Sequence, residues 1–269
     1  MGSNGGYIGL RSVPGIDGYS GVWSMQEIAD AKREGLWPKD IPKTISGLTL
    51  WFAADHLTGF NDGDAVTTWP DQSGNGYDVT QATGANKPLY KTNIFKDKPA
   101  LLFDGSNDYF ENTTQNPFTA GAARTVFVAG RVAVTNGATF IAFRRTARCW
   151  VFQHYVDSGN PGAYFSDGTS VSNNSPSVSG LLNTFGVYCA RGTAGAISKF
   201  RMNGGNGVVS GGALVAEAGS TGFYVGRREL GTSFMNGHIA EIVAYDSELS
   251  DADCLRVERY LNVKYSPLV

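Results

Sequence analysis

The sequence predicts an all-β protein, a jelly-roll β-sandwich with a short N-terminal and a short C-terminal helix. Three observations predict it. From residue 44 onward, apolar and β-branched residues alternate with polar ones in short runs, as half-buried strands require. Turn signals built on glycine, asparagine and aspartate separate these runs at even spacing, the pattern of two packed antiparallel sheets. The composition agrees: 35 glycines and 12% aromatics against 17% charged residues describe many tight turns rather than long helices.

The chain of 269 residues is longer than most single domains, but sandwiches of roughly 200 to 250 residues close one core. It therefore divides into an N-terminal arm with a short helix, residues 1–45, and one large domain, residues 46–269. Residues 1–22 are glycine-rich and hold the turn signals Val13-Pro14-Gly15 and Ile16-Asp17-Gly18, with too little apolar surface to bury alone. Ser24-Met25-Gln26-Glu27 matches a capping box. Met25, Ile28 and Ala29 would form one face of a two-turn helix ending near Gly35, and Trp37-Pro38 closes the unit. A helix this short needs a surface to pack on.

The domain opens with a strand over 44–53, whose apolar run fits burial on both faces. Ala65-Val66-Thr67-Thr68-Trp69 is the next strand, with Trp69 pointing between the sheets. Pro70 ends the ladder, and Asp71-Gln72-Ser73-Gly74-Asn75-Gly76-Tyr77-Asp78 forms a rigid polar loop in which Asp71, Ser73 and Asn75 bond back to nearby backbone. Residues 99–103 repeat the plan, running through Asp104-Gly105-Ser106-Asn107-Asp108 into Tyr109-Phe110. Strands over 125–132 and 139–143 are expected to form a hairpin through Asn136-Gly137. Others follow over 149–155, 162–165, 185–190, 196–202 and 223–225. Residues 166–179 read as a long exposed loop and 203–207 as a hairpin tip. A strand over 237–246 leads to a second capping box at Ser250–Asp253. The helix after it would lay Leu255, Val257, Tyr260, Leu261 and Val263 against a sheet edge.

Several function classes lose support at once. A formal net charge of −2 gives no electrostatic reason to expect nucleic acid or an anionic membrane. No run of about 18 or more apolar residues is present to insert into a membrane. The N-terminus lacks the charged-then-apolar layout of a signal peptide, so the chain reads as made and kept in a cytoplasm. Cys149, Cys189 and Cys254 have no metal-binding or disulfide spacing, and are expected to be reduced.

The candidate sites are few. Asp71-x-Ser73-x-Asn75 repeats the oxygen spacing of the first half of an EF-hand loop, so a calcium ion is the one cofactor to consider, with Asp104 and Asp108 available to complete the set. The position where such a loop carries a bidentate glutamate is Ala82, which favours a turn that caps itself. Arg144 and Arg148, followed by Trp150, His154 and Tyr155, combine the flat rings and hydrogen-bonding groups that suit a saccharide; the competing reading is a solvated turn with core aromatics. His56, His154 and His238 are far apart, belong to no hydrolase motif and read as structural imidazoles. Arg227-Arg228-Glu229 reads as a turn with paired charges.

The loop D-x-S-G-N-G at 71–76, the F-D-G-x-x-D-Y segment at 103–109 and the strand 237–246 with its helix together resemble the laminin-G-like branch of the concanavalin A-like lectin and glucanase superfamily. The resemblance spans residues 46–265 and implies a concanavalin A-like jelly roll. Glucanases of that superfamily carry two glutamates flanking an aspartate on one strand. No such arrangement occurs here, and Glu241 stands alone on its strand, so a glycoside hydrolase is the weakest reading.

The opening, Gly21-Val22-Trp23-Ser24 through Gly35-Leu36-Trp37-Pro38, resembles a short element at the start of virion proteins of tailed bacteriophages. That resemblance implies a non-enzymatic virion structural protein: a capsid decoration, head fibre or tail-associated surface protein assembled in the host cytoplasm. Trp23, Ile28 and Trp37 would attach it to other virion proteins or to further copies of itself in a homo-oligomer. The alternative is a glycan-binding module that adheres to host saccharides.

Overall fold

A computed structural model of the chain describes residues 41–119, 122–133, 137–143, 150–157, 160–166, 171–174, 182–192, 197–203, 208–213, 222–228, 231 and 233–265. The chain divides into two compact units, Met1–Ile45 and Ser46–Val269. Of the first, the described part is a single 3-10 turn, Ile41–Thr44. The expected helix after Ser24, with Trp23, Ile28 and Trp37, lies outside the described residues.

The second unit is an all-β, two-sheet antiparallel sandwich. Its strands are β1 (Leu48–Ala53), β2 (Thr68–Trp69), β3 (Val79–Thr80), β4 (Leu89–Phe95), β5 (Lys98–Asp104), β6 (Phe110–Asn112), β7 (Arg124–Val132) and β8 (Ala138–Phe143). They continue with β9 (Trp150–Asp157), β10 (Asn160–Ser166), β11 (Val171–Asn174), β12 (Gly186–Gly192), β13 (Ile197–Met202), β14 (Val208–Ala213), β15 (Phe223–Val225) and β16 (Asn236–Tyr245). One helix, α1 (Asp251–Tyr265), follows. Sheet A runs β14-β13-β12-β7-β16-β5-β4, with β1 also paired to β16; sheet B runs β11-β10-β9-β8-β15-β6-β3-β2.

The inner faces meet in one core. Leu50, Phe52, Leu101, Phe103, Val126, Val128 and Ile242 come from sheet A, and Trp69, Val79, Phe110, Phe143 and Phe223 from sheet B. Trp69 is fully buried, with ring centroids 5.4 Å from Phe52 and 6.0 Å from Phe110. The alternation before Pro70 thus predicts its direction correctly.

Strand β16 carries a β-bulge that decides what each side of sheet A presents. Ile239 pairs with Gly130 and Glu241 with the adjacent Ala129, leaving Ala240 as an extra residue. Strict alternation would put Ile239 and Glu241 on one face. The bulge resets the phase, so Ile239 and Ile242 both enter the core while Glu241 faces outward. It falls where β5, paired through Ile239, gives way to β1, paired from Glu241 onward.

Helix α1 covers part of that outer face. Ser250 caps it: the Ser250 hydroxyl accepts the Asp253 N–H at 3.1 Å and donates to the Asp253 carboxylate at 2.8 Å. The helix lies on the face of the sheet and not on its edge, which corrects the expectation. Its buried stripe is Cys254, Val257, Glu258, Leu261 and Tyr265, joined by Tyr260, whereas Leu255 and Val263 are 43% and 52% exposed. The stripe follows helical spacing but includes a carboxylate and two phenols, which hydropathy places on the wet side.

Three further expectations change. Strands β7 and β8 belong to different sheets, so they are not the two arms of one hairpin. Strand β11 falls within 166–179, where a loop is expected, and pairs with β10. Strands β4 and β14 are not among the strands expected from the sequence; β14 pairs antiparallel with β13. Cys189 and Cys254 are free and buried, and Cys149 lies outside the described residues.

Candidate functional site

The loop at 71–78 closes upon itself and upon β1. The Asp71 carboxylate accepts the N–H groups of Trp51 (3.0 Å) and Ser73 (2.9 Å) on Oδ1, and the Ser73 hydroxyl (2.7 Å) and Tyr77 N–H (3.1 Å) on Oδ2. Asn75 directs its amide nitrogen to the Leu48 and Thr49 carbonyls at 3.1 and 3.0 Å. Asp78 accepts the Asp71 N–H at 2.8 Å. Four donors occupy a carboxylate with about four lone-pair positions. The set does not fit a calcium ion: its oxygens are turned to donors of the chain.

Asp104 and Asp108 close a separate turn. The Asp104 carboxylate accepts the backbone N–H groups of Ser106, Asn107 and Asp108 at 2.8, 3.1 and 3.4 Å, and Asp108 accepts the Asp104 N–H at 3.0 Å. Burial pushes Asp108 up to about 6, helped by the negative charge of Asp104. Burial also acts to raise Asp104, but its three backbone hydrogen bonds outweigh that and hold it below its ordinary value. The two differ as an acid and a base would, yet Asp108 is buried and faces the inside of the turn. Among the described residues, no group of three or more His, Cys, Asp or Glu side chains is placed to hold a metal ion.

The turn at 104–109 instead supports a neighbouring cluster on sheet B. Gly226, with φ of +90°, packs where a Cβ would strike the Phe103 ring, so only glycine lets the 226–228 turn come this close. Its N–H donates to the Phe140 carbonyl at 3.0 Å and its carbonyl accepts the Met235 N–H at 2.7 Å. This anchorage lays the Arg227 guanidinium 3.7 Å from the centre of the Tyr109 ring and 4.3 Å from that of Tyr224. Tyr224 is directly opposite Glu111 in the β15–β6 ladder, and Arg227 Nη2 approaches Glu111 Oε2 at 3.4 Å. The Arg227 and Glu111 side chains are 16% and 34% exposed.

Hydrogen-bonding capacity in this corner is not used up. Among the described residues, Arg227 Nε, Arg228 Nε and Asn107 Oδ1 are buried atoms without a hydrogen-bond partner. A guanidinium seated over two phenol rings that meet edge to face at 71° holds a fork of N–H donors beside a carboxylate acceptor. Hydroxyl groups at adjacent carbons of a sugar ring match that fork.

Of the predicted saccharide residues, Arg144 and Arg148 lie outside the described residues; Trp150, His154 and Tyr155 fall on β9, where the backbone pairs with β8 and β10. Of the paired charges expected at Arg227-Arg228-Glu229, Glu229 lies outside the described residues; among the described ones the acid partner of Arg227 is Glu111. Tyr109 and Tyr224 are also missed. The available signal is Tyr109 itself, a large ring immediately after a polar turn.

No family model matches the chain, and no curated protein matches it in sequence. Solved structures match it in fold. Domain 4 of AbnA, a GH43 extracellular arabinanase from Geobacillus stearothermophilus in complex with arabinotriose, is 14% identical over 77% of this chain and 95% of that one, with a TM-score of 0.54. An arabinofuranosidase complexed with arabinofuranosyl-alpha-1,2-xylobiose is 18% identical, with 73% and 50% covered and a TM-score of 0.56. The ligand binding domain of botulinum neurotoxin serotype D, in complex with N-acetylneuraminic acid, is 16% identical, with 80% and 51% covered and a TM-score of 0.53. The chain spans about half the length of the last two. At these identities the likeness is one of fold: the domain is a jelly-roll β-sandwich of the architecture found in these proteins.

Proposed function

We propose that the sandwich is a non-enzymatic glycan-binding module that contacts saccharide at the corner formed by Tyr109, Glu111, Tyr224 and Arg227. The observation that carries this reading is the Arg227 guanidinium laid across two tyrosine rings beside a half-exposed carboxylate. Such a group orients hydroxyls without supplying the opposed acid and nucleophile of a glycosidase. Sugar-bearing relatives of the same fold, among them the arabinotriose complex, support it. The fold alone does not carry it, because one fold hosts many functions.

A glycan array screened with and without calcium, followed by calorimetry on the best hit, tests the reading. Arg227→Gln and Tyr109→Ala should each weaken binding at least about tenfold, the effect of one charge-assisted contact. Binding to no glycan at millimolar concentration overturns it. Display on a virion through residues 1–45 is a further part of this reading, resting on the resemblance of residues 21–38. Immunogold labelling of particles would test it, and unlabelled particles would remove it.

A further inference from the structure

Helix α1 and strand β12 bring two thiols together between two ion pairs. On β12, Tyr188 and Ala190 enter the core, so strand alternation turns Cys189 and Arg191 outward, under α1. Cys189 stands directly opposite Arg201 in the β12–β13 ladder. Arg191 and Arg201 reach the helix at Asp251 and Glu258, and Cys254 lies between those two acids, one turn from each. These contacts draw Cys254 down over Cys189. Arg191 Nη1 donates to Cys254 Sγ at 3.5 Å, and both thiols are fully buried.

The two sulfurs are not equivalent. Burial holds Cys189 well above the ordinary thiol range, and its hydrogen bond to Cys254 adds to that. The same hydrogen bond lowers Cys254, with burial opposing it and the Arg191 charge supporting it. A thiol beside a guanidinium in the first turn of a helix is the better nucleophile, so Cys254 attacks and Cys189 resolves. Because α1 covers both, exchange runs through openings in which its first turn lifts from the sheet.

We propose that Cys189 and Cys254 form a reversible disulfide that fastens α1 to sheet A, with a small aliphatic disulfide as the oxidant. The Cys254 thiolate attacks one sulfur of that disulfide and expels the other as a thiolate, which takes up the Cys189 proton. Cys189 then attacks Cys254 Sγ and expels the second small thiolate, which is protonated by the proton that Cys254 gave to solvent. Two protein thiols are oxidised and one small disulfide is reduced to two thiols. In the test, the intact chain is equilibrated with bis(2-hydroxyethyl) disulfide, quenched in acid, digested with pepsin and mapped by mass spectrometry. The expected product is a linked pair of fragments holding Cys189 and Cys254, lighter by two hydrogens than the same fragments reduced. The melting temperature should rise by roughly 5–10 °C, because the link closes a long loop of the unfolded chain, and should return to its starting value with dithiothreitol. Cys189→Ala and Cys254→Ala should show no such rise. Mixed disulfides in place of the link, a link through Cys149, or both thiols left free overturn the proposal, whether or not the variants fold. An equal rise in either variant, or a link that leaves the melting temperature unmoved, overturns the fastening role.

Discussion

The two arginine environments at Arg201 and Arg227 differ in a way that separates holding the fold from presenting a surface. Under helix α1, Arg201 grips Glu258 at 2.8 and 3.1 Å with side chains only 6% and 2% exposed. Nearby, Arg191 bonds the Leu249 carbonyl and Asp251. Glu241, fully buried, accepts from Trp51 Nε1 (2.7 Å), Tyr260 (2.9 Å), Lys264 (2.8 Å) and Tyr265 (2.7 Å). Charge buried in this way is tolerable only because it is paired and hydrogen-bonded. On sheet B, Arg227 has two rings, one long contact to a more exposed glutamate and an idle Nε. Arg191 and Arg227 both keep an Nε without a hydrogen bond among the described residues, so what separates the two settings is burial against short-range acid partners in the clasp under the helix and partial exposure over two rings at the corner.

The largest effect should come from breaking the clasp. Glu241→Ala removes one shared acceptor from Trp51, Tyr260, Lys264 and Tyr265, with Asp55 still 2.8 Å from Lys264 Nζ, and should cost about 3–5 kcal/mol in denaturant unfolding. A loss below about 1 kcal/mol would mean that the helix does not depend on this network. Trp69→Ala, which strikes the core shared by both sheets, should cost a similar 3–5 kcal/mol or so. It therefore calibrates how much of the Glu241 effect is specific to the helix face.

Smaller effects sharpen the contrast at the loops. Asp71→Ala strands the N–H groups of Trp51, Ser73 and Tyr77 and should cost about 2–3 kcal/mol, with the parent melting temperature unmoved by calcium. A calcium-dependent rise that vanishes in Asp71→Ala would make the loop an ion site after all.

For Asp108 the sign runs the other way. Its folded pKa of about 6 lies above the ordinary 3.8, so its contribution to stability is full below about pH 4 and is lost as pH rises through 6. Asp108→Asn keeps an acceptor for the Asp104 N–H and should stabilise the protein by roughly 1–2 kcal/mol at neutral pH, with no gain near pH 3. An equal gain at both pH values would refute the titration account. Arg227→Gln should change stability least, by about 1 kcal/mol or less. A much larger loss would turn that corner into a second clasp.

Much of the sandwich is legible before folding is considered. Alternation locates β5, β7, β8, β12, β13 and β15 within a few residues, and Pro70 with the polar residues after it marks a turn that caps itself, because these are local properties of backbone and neighbouring side chains. The helix cap at Ser250 and Asp253 is equally local. The failures are of another kind. Asn136-Gly137 is a good hairpin signal, yet whether two successive strands pair or enter opposite sheets depends on partners far away in the chain. A strand as short as β3 falls below any period.

Local pattern is enough for the all-β class, most strand positions, the self-closing loop at Asp71 and the capped C-terminal helix. Tertiary structure alone decided which face each polar residue occupies. One extra residue at Ala240 puts His238 and Glu241 on the same outer face, against simple alternation. Helix α1 buries Glu258 and Tyr265 and exposes Leu255, because acceptors and donors waiting on β1, β13 and β16 make polar groups the better fit there. The Arg227 corner likewise assembles from turns some 120 residues apart, and the meeting of a guanidinium with two phenol rings is a matter of contact across the fold that no local pattern encodes.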